Sequence, residues 1–500
     1  MHRVRLAKVR EFEELPMQHV ASVAEMRAAD SEALKFCNER TLIERAGRAV
    51  ACEAISMLKG AYGKRITVIA GKGSNGEDGR LAASYLRQRG AVVTVFEAST
   101  APSELGLSDL IIDAAYGTGF HGDYSSPSNK FEVPVLAVDI PSGVDGDTGS
   151  SSSSVLVASS TVTFAALKPG LLQGDGAQLA GLVKVADIGV DLTLAKIGLV
   201  EDKDVTRLLP PREFSSHKWS SPLMVIAGSR GMQGAGTLCA SAALRSGAGM
   251  VRFGSIGQSS SPTVGQEYLE SCRELWPIEP VRVDLGCPEW SKIALNEIER
   301  CAALVIGPGI GRSEETMAET RKLIAQCPVP VVADADALFA LGDVLSARKI
   351  IQAQERVVVL TPHDEEYKRL LGQSPGADRI QAARNLAKLT GAMVLLKGNL
   401  TVVATPWSES LDVLLVNSGT PRLATAGTGD VLSGAIGALI ARGVEPLWAT
   451  SLAAHIHGRA SSLGRLEGLI ASDLPRLMSK WMSELLANGK QDPGVLAVAR

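Results

Sequence analysis

Short β-branched runs, each closed by Gly or Asp and followed by an Ala-rich amphipathic stretch, recur through the first part of the chain: Ile66 to Ala70, Val92 to Phe96, Leu110 to Asp113, Val135 to Asp139 and Thr161 to Ala165. Strand-length apolar runs alternating with helical periodicity predict parallel strands joined by crossover helices. A second series follows a polar, Pro-containing stretch at 208–221: Leu223 to Ala227, Met250 to Gly254, Ala303 to Gly307, Val329 to Ala333, Val357 to Leu360, Val394 to Lys397 and Thr401 to Ala404. The pattern predicts two α/β domains, each of three αβα layers, spanning residues 1–207 and 208–500. Pro210-Pro211 would interrupt a regular element, which places the boundary within 205–217. The serine run Ser150 to Ser154 falls between two predicted strands and reads as a loop. No short-period repeat or heptad array is present.

Composition narrows the partners more than the fold. Five hundred residues exceed what one hydrophobic core organises, and 45% apolar content is ample for two. A net charge of −3 with both signs mixed gives no electrostatic reason for a nucleic acid or an acidic membrane as partner, so small ligands are expected. The seven cysteines, at 37, 52, 239, 272, 287, 301 and 327, form no CxxC pair and read as reduced, mostly buried thiols. The opening residues mix Arg with Glu and lack an apolar core, which predicts no secretory signal. No run approaches the roughly 18 apolar residues of a membrane span, so a cytoplasmic enzyme is expected.

Candidate chemistry concentrates at glycine-rich turns. The segment Asn417 to Asp430 runs directly into a helix-like stretch, Val431 to Arg442. Gly427, Thr428 and Gly429 let the backbone turn so that free N–H groups at a helix start face an anion, and Asp430 adds a carboxylate at the same spot. That arrangement suits phosphoryl transfer to a hydroxyl. A helix start lowers a carboxylate's pKa, so Asp430 is expected to be ionised and weakly basic; the plain structural alternative is an N-capping Asp. In the first half, Gly71 to Gly79 forms a loop after a predicted strand, with a helix expected from about Arg80. Asn75, Asp78, Asp113, Asp139 and Ser142 stand at several predicted strand ends, where ligands of an open parallel sheet collect.

Together with Met26 to Asp30 and Ile43 to Gly47, these motifs resemble the NAD(P)HX epimerase family over residues 20–190. The resemblance implies a Rossmann-like fold and interconversion of the R and S forms of hydrated NADH or NADPH beside a potassium ion. It implies potassium ligands at Asn75, Asp113 and Ser142, a choice that suits a hard cation preferring oxygen donors. It also places Ser74, Asn75, Gly76, Glu77, Asp78, Gly117, Thr118, Gly119, Asp123 and Asp139 around the hydrated dinucleotide, with Asp139 and Lys168 as the acid/base pair. Where the family carries an Arg after its GTG turn, this chain has Phe120-His121-Gly122-Asp123.

In the second half, Ala227 to Gly236, Ile306 to Gly311, Asp334 to Leu338, Leu360 to Glu366, Leu396 to Thr401 and the GTGD turn together resemble the ADP- or ATP-dependent NAD(P)HX dehydratase, of ribokinase-like fold, over residues 218–480. The resemblance implies that Lys397, Gly398, Asn399, Leu400 and Thr401 lie along the nucleotide and that Gly427, Thr428 and Gly429 bind its phosphate. Asp430 would take the proton from the substrate hydroxyl, and Ala235, Gly309, Gly311 and His363 would hold the hydrated dinucleotide. ADP is the favoured donor over ATP, Mg2+ would accompany it, and a homo-oligomer is expected. Asp334 and Asp336 read as structural or supporting residues. His455 and His457, two apart on a predicted helix, face different ways and make no metal site. Two other readings stay open: a second domain that is a kinase of a small alcohol such as a vitamin precursor or sugar, and a first domain that is a non-catalytic ligand-sensing or scaffold module.

Overall fold

The computed structural model describes residues 17–488 except 121, 194, 257–276, 287, 354 and 408–410. His121, Cys272, Cys287 and the opening segment lie outside the described residues. The chain divides into two compact units, Met17–Gly198 and a second from Leu199 onward. The expected boundary at 207/208 therefore falls late. Residues 202–208 form a helix of the second unit, tied to it by Asp202, which accepts hydrogen bonds from His455 Nε2 and Arg459 Nε, both at 2.7 Å. Pro210-Pro211 lies in irregular chain just past the end of this helix, inside the second unit.

After a short strand β1 (Gln18–Val20), the first unit lays helices α1 (Val23–Ala33) and α2 (Glu39–Leu58) before its sheet. The sheet is built from β2 (Arg65–Ala70), β3 (Val92–Glu97), β4 (Leu110–Ala114), β5 (Val135–Val138), β6 (Ser160–Phe164) and β7 (Leu182–Ala186). Its order is β3-β2-β4-β5-β6-β7, with every pair parallel. Central β4 is buried at every residue, Asp113 included, whereas β3 alternates exposed and half-buried positions and closes one edge. Helix α3 (Ser74–Gln88) follows β2 and packs with α2 over one face through Val50, Ala54, Ala82 and Leu86.

Strand β8 (Ile197–Leu199) leads into the second unit, whose helix α4 is the Asp202–Leu208 segment. Its strands are β9 (Pro222–Ser229), β10 (Met250–Ile256), β11 (Val281–Asp284), β12 (Ala303–Ile306), β13 (Val331–Ala333), β14 (Val358–Leu360), β15 (Met393–Leu396), β16 (Thr401–Ala404) and β17 (Val413–Val416). They run in the order β17-β16-β15-β14-β13-β12-β9-β10-β11. Pairing is parallel except at β15/β16 and β16/β17, which form antiparallel hairpins.

Alternation along β9 and β12 sorts side chains between two layers. Met224, Ile226, Leu304 and Ile306 join a core that includes Trp290, 1% exposed. Truncating a buried Trp of this kind costs about 3–5 kcal/mol. On the other face Leu223 and Val305 meet Gly437, where an added Cβ would lie 2.2 Å from Val305 Cγ1's geminal partner Cγ2. The helices that carry the site are α5 (Gln233–Arg245), α6 (Asp336–Leu341), α7 (Asp364–Leu371), α8 (Thr428–Ala441), α9 (Pro446–Ser462) and α10 (Leu474–Asn488).

Among the described residues no helix is long and apolar enough to cross a membrane. The cysteines described are free thiols; Cys239, Cys301 and Cys327 are buried, but Cys52 is exposed and Cys37 half-buried.

Candidate active sites

In the first unit the predicted residues gather at the carboxyl ends of β2, β4, β5 and β6. The glycine loop is shorter than expected, because α3 already begins at Ser74, with Gly73 as its cap. Ser74, Asn75, Gly76, Glu77 and Asp78 are thus the opening residues of a helix rather than a loop, so their backbone amides belong to a helix N-terminus. The tight approach explains two glycines: a Cβ on Gly71 would stand 1.9 Å from the Ala115 carbonyl oxygen, and one on Gly76 the same distance from that of Gly71.

Asp139 follows β5 with φ +67°, a strained choice for a residue with a Cβ and one that clusters at functional sites. Its Oδ1 lies 2.7 Å from Lys168 Nζ and accepts from Thr163 Oγ, while its Oδ2 accepts from the Thr118 amide and hydroxyl. Burial works against this charge, but Lys168 and the Thr118 bonds outweigh it and hold the carboxyl below its usual range. Gly117 packs between Asn75 and Asp139: a Cβ there would be 3.2 Å from Asn75 Cγ and from Asp139 Oδ2.

Asp78 is 6% exposed with Oδ1 unpartnered; burial, then the charges of Asp139 and Glu77, push it up to about 8. Asp113, fully buried near the carboxyl end of β4, accepts from Ser142 Oγ at 2.6 Å and from the Ser142 amide at 2.9 Å. Burial raises its pKa although these bonds pull it back. Asn75 Nδ2 is buried without a partner. Gly119 has Arg27 Nη2 4.0 Å from where its Cβ would be, so a guanidinium from α1 reaches this loop.

In the second unit a cavity of about 410 Å3 opens at the carboxyl ends of β9, β12 and β13, lined by Gly231, Gly234, Ala235, Gly309, Asp336 and Asp430 among others. Ala235 and Gly309 face each other, since a Cβ on Gly309 would touch that of Ala235 at 3.0 Å. Asp336 accepts from the Gly311 amide at 3.0 Å and from Arg312 Nε at 2.6 Å, which fixes the glycine turn after β12. Helix α8 begins at Thr428, three residues earlier than expected, with Gly427 as cap at φ +90°. Asp430 is therefore the third helical residue and not the cap. The Thr428 hydroxyl turns back to the carbonyls of Leu423 and Thr425.

The expected low pKa of Asp430 is reversed. A helix N-terminus contributes only about 0.3–1 kcal/mol, under one pKa unit. Burial, followed by the charge of Asp334, pushes Asp430 up to about 7, against the pull of Lys397. Lys397, directly after β15, is held 2.7 Å from Asp334 Oδ1, and its Nζ lies 3.4 Å from where a Cβ on Gly429 would be. Gly398, Asn399 and Leu400 make the tight turn of the β15/β16 hairpin, which Thr401 leaves as the first residue of β16, and Arg379 fixes the turn by donating to the Lys397 carbonyl at 2.6 Å. His363 caps α7: its Nδ1 accepts from the amides of Glu365 and Glu366. His455 and His457 are both buried on α9, and among the described residues no group of three or more His, Cys, Asp or Glu could hold a metal ion.

Two family models match: NAD(P)H-hydrate dehydratase over residues 223–483, and YjeF-related protein N-terminus over 39–107 and 97–170. The bifunctional NAD(P)H-hydrate repair enzyme Nnr of Mycobacterium leprae is 33% identical, over 94% of this chain and 98% of its own. Its Escherichia coli counterpart is 32% identical over 87% of each. The chain belongs to the bifunctional NAD(P)H-hydrate repair enzyme family. Among solved structures, the ADP/ATP-dependent NAD(P)H-hydrate dehydratase from Bacillus subtilis, co-crystallized with ATP/Mg2+, is 25% identical, with a TM-score of 0.46 over 57% of this chain and 97% of that one.

Within this family member, several site residues gave no signal in the sequence. Thr163 joins the expected Thr118 in clamping Asp139, and Ser433 donates to Asp334 Oδ2 at 2.6 Å from 99 positions away. Glu366, whose pKa burial raises, acts on Lys397. Only the pairing of Asp334 with a strand end hinted at a supporting role.

Proposed function

We propose that this chain repairs hydrated nicotinamide cofactors, the first unit epimerising R- and S-NAD(P)HX and the second dehydrating the S form at the expense of ADP or ATP. The observation that carries this reading is Asp430 on the cavity wall, in the first turn of a helix whose Gly429 abuts the Lys397 ammonium. Hydroxide is a poor leaving group and phosphate a good one. The substrate's C6 oxygen would attack the terminal phosphorus of the nucleotide while Asp430 takes the hydroxyl proton. The bond from that phosphorus to the nucleotide's bridging oxygen breaks, releasing AMP or ADP. The C6–O bond then breaks, phosphate departs, C5 gives up a proton and the ring double bond returns. A carboxylate raised to about 7 is matched to such a proton transfer near neutral pH.

The backbone amides of Gly427 to Gly429 and the Lys397 ammonium would meet the moving phosphate. Ala235, Gly309, Gly311 and His363 would border the dinucleotide, and the Gly398–Thr401 turn the nucleotide. Magnesium would enter with the nucleotide's phosphates, neutralising their charge, and no step is assigned to a protein-held ion.

In the first unit Asp139, held ionised, would accept a proton and Lys168 would return one at the carbon bearing OH and N. Ser74 to Asp78, Gly117 to Gly119 and Asp123 would surround the dinucleotide. Asp113 is a buried carboxylate whose close partners are donors from Ser142 and Ala115, and Asn75 and Ser142 add neutral oxygens. That donor set fits potassium, which would supply positive charge beside the substrate's phosphates.

The test is incubation of the full chain with S-NADHX and ADP or ATP, followed at the nicotinamide absorbance band. Recovery of NADH with release of phosphate supports the reading. A stable phosphorylated product without NADH would instead make the second unit an alcohol kinase.

A further inference from the structure

Asp334 stands directly after β13, 1% exposed, and three distant segments converge on its carboxylate. Oδ1 receives Lys397 Nζ from the end of β15 at 2.7 Å. Oδ2 receives the Ser433 hydroxyl from the second turn of α8 at 2.6 Å. The Thr361 hydroxyl, after β14, adds a further bond. A Cβ on Gly429 would lie 3.4 Å from Lys397 Nζ and 3.9 Å from Asp334 Oδ2, so the ion pair abuts the turn that begins α8. Desolvating a carboxylate is costly, and a neutral amide could tie the same segments together. The charge itself therefore calls for an explanation.

We propose that Asp334 is a positioning residue for phosphoryl transfer: it anchors Lys397 against the Gly429 turn, away from Asp430, and its fixed negative charge keeps Asp430 able to accept a proton. The inference rests on the phosphoryl-transfer reading of this cavity. The groups that act on Asp430 from the surrounding elements are consistent with it. Asp336, opening α6, adds to the effect of Asp334, while Lys397 opposes it. Cys239 on α5 is a buried thiol pushed up and neutral. His457 on α9, bonded to the Thr428 backbone, is driven down by burial to about 4 and is also neutral. Glu366 on α7 acts on Lys397, and with Asp334 it holds that ammonium above its usual range despite burial. Without Asp334, the ammonium nearest Asp430 would lose its main partner and turn to that carboxylate.

The test uses two variants with opposite expected signs, Asp334→Asn and Lys397→Met, in the full chain. The Asp430 carboxyl is titrated by 13C-aspartate NMR, its signal assigned by its loss in Asp430→Asn, and kcat and nucleotide KM are followed against pH. Asp334→Asn should move the Asp430 titration down by about one pH unit or more, with kcat near neutral pH falling roughly tenfold and nucleotide KM rising. Lys397→Met should move the titration up. Asp334→Glu should restore most of the shift. An Asp430 titration unmoved in Asp334→Asn, with or without lost activity, would reduce Asp334 to a structural bolt and overturn the proposal. If Asp334→Asn fails to fold, an unmoved or lowered titration in Lys397→Met overturns it equally. Absence of turnover by the unsubstituted chain with either nucleotide would sink the functional reading separately, and the NMR titrations would still decide the electrostatic one.

Discussion

Lys168 Nζ sits 2.7 Å from Asp139 Oδ1 in a pocket where the lysine is 2% and the aspartate 9% exposed, and the lysine also donates to Thr163 Oγ and the Phe164 carbonyl. Removing one member of such a pair strands a buried charge, which costs about 3–5 kcal/mol. Asp139→Ala and Lys168→Met should each destabilise the first unit by that amount, and the double variant by less than the sum. All six tryptophans follow Leu199 in the sequence, so the change should appear in hydrogen exchange of residues 17–198 and leave tryptophan fluorescence unmoved. Turnover of the R form should vanish in Asp139→Ala while the S form is still consumed.

Asp430 should set the acid limb of the dehydration rate. Only its ionised form accepts a proton, so kcat for S-NADHX should rise with pH through about 7 and level off above it. Stability should run the other way. The folded chain binds this proton more tightly than the unfolded chain, whose carboxyl titrates near 3.8, so stability falls as pH rises from there to about 7. Asp430→Asn should abolish dehydration yet stabilise the second unit above neutrality, read by denaturant melts on tryptophan fluorescence. A variant less stable than the unsubstituted chain at alkaline pH would contradict the assignment.

His457 predicts acid sensitivity of the same unit. Burial holds the imidazole neutral with its pKa lowered from 6.5 to about 4. A group that is harder to protonate when folded costs stability as pH falls through that window, because the unfolded chain takes up the proton first. His457→Gln should flatten the loss of stability between those two pH values. An equally steep loss in the variant would assign it to other groups.

Gly427 adopts φ +90°, and a Cβ there would meet Leu238 Cδ1 at 2.6 Å and Ala471 Cβ at 3.1 Å. Gly427→Ala should cost about 1–3 kcal/mol from backbone strain alone. Because the turn also aims the amides of α8, nucleotide KM should rise more than KM for the dinucleotide. Equal increases would mean that the turn does not face the nucleotide.

Cation dependence should separate the two activities. With tetramethylammonium in place of potassium, epimerisation should slow while dehydration of S-NADHX continues at its former rate, measured in the same preparation. Ser142→Ala, which removes one donor to the Asp113 carboxylate, should reproduce the slower epimerisation at any potassium concentration.

The sequence by itself determined the sheet strands whose apolar runs are long and glycine-bounded, such as Ile66 to Ala70 and Leu223 to Ala227, and the presence of a glycine turn ahead of α3 and of α8, but it set both helix starts too late. These are local matters: side-chain period, a glycine's freedom and the residue at a strand end all act within a few positions. Strands β7 and β11 escaped because Leu182–Ala186 carries a lysine and Val281–Asp284 is largely exposed; β17, Val413–Val416, escaped although it is as short and apolar as strands that were read. The boundary was misplaced because the bonds from Asp202 to His455 and Arg459 leave no mark near Pro210. Only the tertiary structure decided the ionisation of Asp430, which local helix geometry predicted with the wrong sign. Burial and the carboxylate of Asp334, 96 positions earlier in the chain, act through space and outweigh the dipole of the helix on which Asp430 stands.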